Sequence, residues 1–154
     1  MKSLDENIDF ETSIIPWLGK TSKMVDCFLQ EKLNENGLDL SKEQVVVLKK
    51  LHQKNGLNQN ELAFLTLRDK STLTRLLSKM ESKNYIQRVR SKDDKRIREV
   101  FLTAEGRNIY AKTKPILRDL LDSLGKGITP EEKEIAIRIL KKIQCNMGIK
   151  AQPL

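Results

Sequence analysis

The apolar residues between Leu57 and Gly106 change period partway along, and that change limits the folds open to this chain more than any other feature of its 154 residues. In Asp69-Lys-Ser-Thr-Leu-Thr-Arg-Leu-Leu-Ser-Lys-Met80, Leu73, Leu76, Leu77 and Met80 fall at i, i+3, i+4 and i+7, the spacing of one helix face. The opposite face carries Ser71, Thr72, Arg75, Ser78 and Lys79, small hydroxyls and long cations with no acid among them. Asp69 stands where an N-cap accepts from the first free N–H groups of a helix. Such a helix is held on its apolar side and offers hydrogen-bonding, positive groups on the other, which suits a duplex groove. An ordinary amphipathic surface helix has the same pattern, so the flanking segments decide between the two.

Upstream, Ser41-Lys-Glu-Gln44 reads as a capping box with Leu40 and Val45 as its hydrophobic staple, opening a helix that stops at Asn55-Gly56. Asn58-Gln-Asn-Glu61 repeats the device with Leu57 and Leu62, and its short helix ends near Leu65–Leu67, a few residues before Lys70. Two helices joined so tightly, the second basic on its outer face, predict a helix-turn-helix. After Met80, Asn84 suits a left-handed helix end. Tyr85-Ile-Gln-Arg-Val-Arg90 then alternates, Ser91-Lys-Asp-Asp-Lys-Arg96 is a charged turn, and Arg98-Glu-Val-Phe-Leu-Thr103 returns as a second strand. A two-stranded hairpin directly after a helix-turn-helix is a winged helix.

The predicted fold class is therefore mainly α with a small β-hairpin wing. Residues 1–36 form a polar tail and an N-terminal helix, with Pro16 in its first turn and Gly37 at its end. Residues 37–106 form the winged helix-turn-helix lobe, and residues 107–154 two further helices, all within one integrated domain. Thr103 caps the first of these, with Pro115 inside it; Thr129-Pro-Glu-Glu132 opens the second, which carries Ile135, Ile139, Leu140, Ile143 and Met147. A winged-helix core of about 60 to 70 residues does not need the first and last helices, so they are expected to pair with each other and with their copies in a homodimer. The competing arrangement is a monomer with both folded over its own core.

Charge is unevenly placed. Eleven Lys/Arg and four acids lie between Thr66 and Arg98, so that this stretch carries +7 of the formal +8. A localised positive field predicts a polyanionic partner, and the stretch lacks the apolar face of an interfacial membrane helix. The first nine residues have no apolar core and do not read as a signal peptide, no apolar run is long enough to span a bilayer, and a cytoplasmic, nucleoid-associated protein is expected. Cys27 and Cys145 are too far apart for a metal motif or a disulfide framework. Both fall in the proposed dimer helices, where a buried, inert thiol is the default. One histidine, no metal-ligand cluster, no glycine-rich phosphate loop and no nucleophile motif leave no catalytic site, metal or cofactor to predict.

The order of elements resembles the MarR family of prokaryotic transcription regulators over about residues 15–147. Leu57-Asn-Gln-Asn-Glu-Leu-Ala63 looks like the family's first helix-turn-helix helix, and Asp69-Lys-Ser-Thr-Leu-Thr-Arg-Leu-Leu77 like its recognition helix. Asp94-Lys-Arg96 followed by Val100-Phe-Leu-Thr-Ala-Glu-Gly106 looks like its wing signature. Asn84 stands where many members have glycine. The resemblance implies a homodimeric repressor of a palindromic double-stranded operator, released by a small ligand or by oxidation. It matches Arg96 to the wing arginine that enters the minor groove and Asp94 to the aspartate that holds that loop.

In this reading Ser71, Thr72 and Arg75 face base edges in the major groove, with Thr74 on the same helix, while Lys70, Ser78 and Lys79 lie nearer phosphates. Arg90, Lys92, Lys95 and Arg96 supply the wing's cations. Lys79 has an alternative as a solvated helix cation, and Arg96 as a salt bridge to Asp93 or Asp94. The resemblance also places an effector crevice between dimer helices and DNA lobe, where Trp17, Met24 and His52 are candidates; each has a plainer reading as core or surface. A winged helix used only for protein contact, or as a non-specific architectural DNA binder, is the rival function, and the former would present an acidic or apolar recognition face.

Overall fold

The computed structural model describes residues 8–149; the polar tail expected over residues 1–12 therefore lies partly outside the described residues, as does the end of the C-terminal segment. Six helices and three short strands follow in the order α1 (Ile14–Glu35), α2 (Lys42–Gln53), β1 (Leu57–Asn58), α3 (Gln59–Thr66), α4 (Lys70–Ser82), β2 (Ile86–Arg90), β3 (Arg98–Leu102), α5 (Ala104–Leu124) and α6 (Pro130–Asn146). The three capping boxes all form: Ser41 with Gln44, Asn58 with Glu61, and Thr129 with Glu132. Each satisfies one helix N–H by the cap side chain and the cap's own N–H by the residue three ahead.

Helix ends follow the same logic. At the end of α1, Gly37 takes φ 68° while Leu38 N–H donates to Leu33 O and Gly37 N–H to Asn34 O. Asn84 ends α4 in the same way at φ 59°, with Tyr85 N–H on Met80 O and Asn84 N–H on Glu81 O. These are Schellman closures, which need a left-handed residue after the helix. The turn between α3 and α4 uses a third one, on Leu67 at φ 52°, where an ordinary side chain gives no sign of it.

The expected two-stranded wing is part of a three-stranded antiparallel sheet in the order β1-β3-β2. Leu57 and Asn58 pair with Val100 and Glu99, a connection too short to show alternation. Beneath the sheet, Leu33, Val47, Leu48, Leu51, Leu62, Leu73, Leu77, Met80, Ile86 and Val100 are sealed from solvent. Both staples are in this core, Leu40 and Val45 on one and Leu57 and Leu62 on the other. The N-terminus of α5 closes against the base of the wing. A Cβ on Gly106 would stand 1.9 Å from the Tyr85 carbonyl oxygen, so only glycine lets helix and strand approach so closely.

The terminal helices behave differently. No residue of α6 is buried, and Ile135, Ile137 and Leu140 are exposed together with Ile14, Ile15, Trp17 and Met24 on the first half of α1. Cys27 and Cys145 are exposed within one chain as well, so the burial expected of them in the dimer helices is not supplied by the chain itself. The cause is physical: the helix faces that would cover them have no neighbour within one chain. No helix among the described residues is long and apolar enough to cross a membrane.

Candidate nucleic-acid interface

Asp69 starts the recognition helix. Its Oδ1 accepts the Thr72 N–H at 2.8 Å and its Oδ2 the Thr72 hydroxyl at 2.7 Å. These bonds hold the Asp69 carboxyl below its usual range and aim the helix start outward. Leu73, Leu77 and Met80 are buried under the helix, while Lys70, Ser71, Thr74, Arg75, Ser78 and Lys79 are exposed above it. Thr72, Thr74, Arg75, Ser78 and Lys79 line one open groove of about 460 Å³, whose far wall is Glu43 and Arg68. Arg68 and Glu43 form an ion pair at 3.7 Å that ties the start of α2 to the helix-turn-helix turn, a contact not read from sequence.

The hydroxyls of this face are not equivalent. Thr74 Oγ1 donates to the Lys70 carbonyl at 2.7 Å and Ser78 Oγ to the Thr74 carbonyl at 2.9 Å. In the free chain the Thr72, Thr74 and Ser78 hydroxyls are turned to these acceptors, and each keeps lone pairs for a further donor, which at Ser78 is Arg88 Nη2. Ser71, by contrast, makes none of these bonds.

In the wing, Ser91 N–H donates to Ile97 O, and Asp94 closes the tip. Asp94 Oδ1 accepts the Arg96 N–H at 3.0 Å and its carbonyl the Ile97 N–H at 2.9 Å. The Asp93 or Asp94 salt bridge considered for the Arg96 side chain is not formed. Arg90 and Arg98 face each other across β2 and β3, two like charges in register. Such a pair is destabilising unless an anion sits between them.

The eleven cations from Arg68 to Arg98 sort cleanly. Arg68, Lys83 and Arg88 are partly buried and ion-paired to Glu43, Asp39 and Glu81. Lys70, Arg75, Lys79, Arg90, Lys92, Lys95, Arg96 and Arg98 are exposed and have no ion pair among the described residues.

Trp17, Met24 and His52 are left in separate surroundings. Trp17 is exposed with its Nε1 donating to the Glu11 carbonyl at 2.8 Å, Met24 is exposed, and the His52 ring lies tilted at 46° against Tyr110, centroids 5.0 Å apart. None of them lines the cavity of about 370 Å³ between α1 and α5, which is walled by Phe28, Leu38, Pro115, Ile116 and Leu120 and rimmed by Lys32, Lys112 and Asp119.

The MarR family model matches residues 40–97. The chain is 32% identical over 105 residues to the transcriptional regulator HosA of Escherichia coli O157:H7, spanning 68% of this chain and 78% of that one. It is 33% identical over 110 residues to the regulator SarZ of Staphylococcus haemolyticus, spanning 70% of this chain and 72% of that one. Among solved structures, the S. aureus MepR–DNA complex superposes with a TM-score of 0.82 at 25% identity, covering 89% of this chain and 99% of that one.

Proposed function

The chain belongs to the MarR family of transcriptional regulators, and from that premise we propose that it is a homodimeric, sequence-specific repressor acting on a palindromic operator in the cytoplasm. In this reading α4 enters the major groove and the loop between β2 and β3 the minor groove, and residues 37–106 serve as the DNA lobe between dimerisation helices. The observation that carries it is the set of eight exposed cations without ion pairs on one helix face and one hairpin. They repel one another in the free protein, and phosphates would relieve that repulsion with release of counterions. An apolar protein-contact surface would gain nothing from such a set. The MepR complex, in which a similar chain binds DNA, agrees with this reading.

The uncovered apolar faces of α1 and α6 support the dimer, since a monomer would leave Ile14, Ile15, Ile135 and Leu140 in water. An effector is assigned to the cavity between α1 and α5, where apolar walls meet two lysines. Ile116→Trp, which fills that cavity, is expected to keep operator binding and lose ligand-induced release; release that persists would place the effector elsewhere.

Arg75→Ala tests the base-reading role. It should cost about 1–3 kcal/mol per half-site on operator DNA and much less on scrambled duplex. Equal losses on both would mean that Arg75 contacts phosphate only.

A further inference from the structure

Arg88 differs from every other cation of the wing. Its side chain is 12% exposed, and it turns back toward the recognition helix. Nε and Nη2 donate to Glu81 Oε2 at 3.1 and 2.7 Å, and Nη2 also donates to Ser78 Oγ at 3.2 Å. The Arg88 backbone N–H donates to Glu81 Oε1 at 3.1 Å. Since β2 is an edge strand, that N–H points away from β3, and Glu81 satisfies it. One carboxylate thus holds both the backbone and the guanidinium of the same wing residue. The Arg88 hydrogen bonds hold the Glu81 carboxyl below its usual range.

Glu81 itself calls for a reason. It is an acid among the cations of a surface read as facing DNA, where its charge opposes phosphate. We infer that Arg88, held by Glu81 and Ser78, is a positioning residue that fixes the wing relative to the recognition helix. It sets the span between the two DNA-reading elements without touching DNA. Without this clamp, the base of the hairpin would still be joined to α4 by the turn at Asn84 and by Ile86 and Val100 in the shared core, but no ion pair among the described residues would link the strands to the recognition helix. Ordering the hairpin would then fall on the binding step, and the spacing between Arg75 and Arg96 would no longer be preset. The inference rests on the DNA-binding reading above.

The test uses the full chain, the duplex it selects from a random pool, and a scrambled duplex. Glu81→Gln removes a negative charge near phosphate, so electrostatics alone would raise affinity for both duplexes. Positioning predicts the reverse on the operator: its preference over scrambled DNA should fall about tenfold, with scrambled binding unchanged or tighter. Arg88→Lys keeps the charge but not the planar fork and should lose the same preference. In an Arg96→Ala background, Arg88→Lys should have under about a twofold further effect, because the wing tip it positions no longer contributes. Additive losses, with the salt slope lowered by about one for Arg88→Met, would identify Arg88 as a direct phosphate contact and overturn the inference. An unchanged preference in Glu81→Gln would overturn it too. If the unaltered chain shows no preference between the duplexes, it is the sequence-specific DNA-binding reading that fails.

Discussion

Helices α4 and α6 have closely similar amphipathic sequences and opposite fates. The apolar face of α4 is sealed, with Leu73, Leu77 and Met80 at 1% exposure or less, whereas Ile135 of α6 is 47% exposed and Leu140 37%. The same rule of pattern produced both helices, so the difference lies in what each meets. α4 finds α2, α3 and the sheet within one chain; α6 finds nothing comparable. The lobe's core is closed within one chain with the help of Leu29 and Leu33 of α1 and Ile109 and Ile116 of α5, whereas the apolar face of α6 is left uncovered, as the proposed dimer requires. Amphipathicity states that a helix needs a partner and leaves open whether the partner is in the same molecule.

That contrast can be broken most severely on the α6 side. Leu140→Asp should convert the protein to a monomer by sedimentation equilibrium and weaken operator binding by about 10² or more, since the two half-sites would no longer be held by one particle. A dimer that survives this change would put the interface elsewhere. On the lobe side, Leu77→Ala should lower unfolding free energy by about 2–5 kcal/mol in denaturant titration, by loss of transfer energy and creation of a cavity. The loss for Leu77 should be independent of protein concentration once the dimer is formed, whereas the Leu140 effect is one of mass action. Gly106→Ala tests the seam between the regions. Its methyl group would meet the Tyr85 carbonyl, so a loss of about 1–3 kcal/mol is expected, together with displacement of α5 from the wing base.

The smallest expected effect is at Asp69. Its folded carboxyl is held below the ordinary value of 3.8 by its bonds to Thr72, so its charge contributes stability that is fully present above pH 3.8 and fades as pH falls through the folded value. Asp69→Asn keeps a cap but not the charge. The stability difference between the two proteins should shrink as acid is added in that window, read from thermal unfolding at several pH values.

Much of the lobe was legible because its signals are local. A capping box needs only residues three apart, and the left-handed ends at Gly37 and Asn84 use residue types that advertise themselves. The αL turn at Leu67 used a residue that does not, and β1 was too short to carry a period. The candidate DNA residues were found as a face of one helix and the tip of one hairpin. Arg88 was counted among the cations without its inward role being seen, because the bond to Glu81 exists only once the strand docks beside the helix. The Glu43–Arg68 pair is hidden for the same reason, at a longer separation.

The central claim is that two copies of this chain read one inverted-repeat site. Selection of duplexes from a random pool by the purified protein, repeated across a salt series, tests it most directly. The account predicts enrichment of a palindrome with half-site centres about one helical turn apart or a multiple of it, bound at least about 10³ more tightly than random DNA, with a slope corresponding to roughly 6–10 phosphate contacts. A steep slope without any enriched sequence would contradict sequence-specific regulation, and enrichment of a single unrepeated half-site would contradict the dimer.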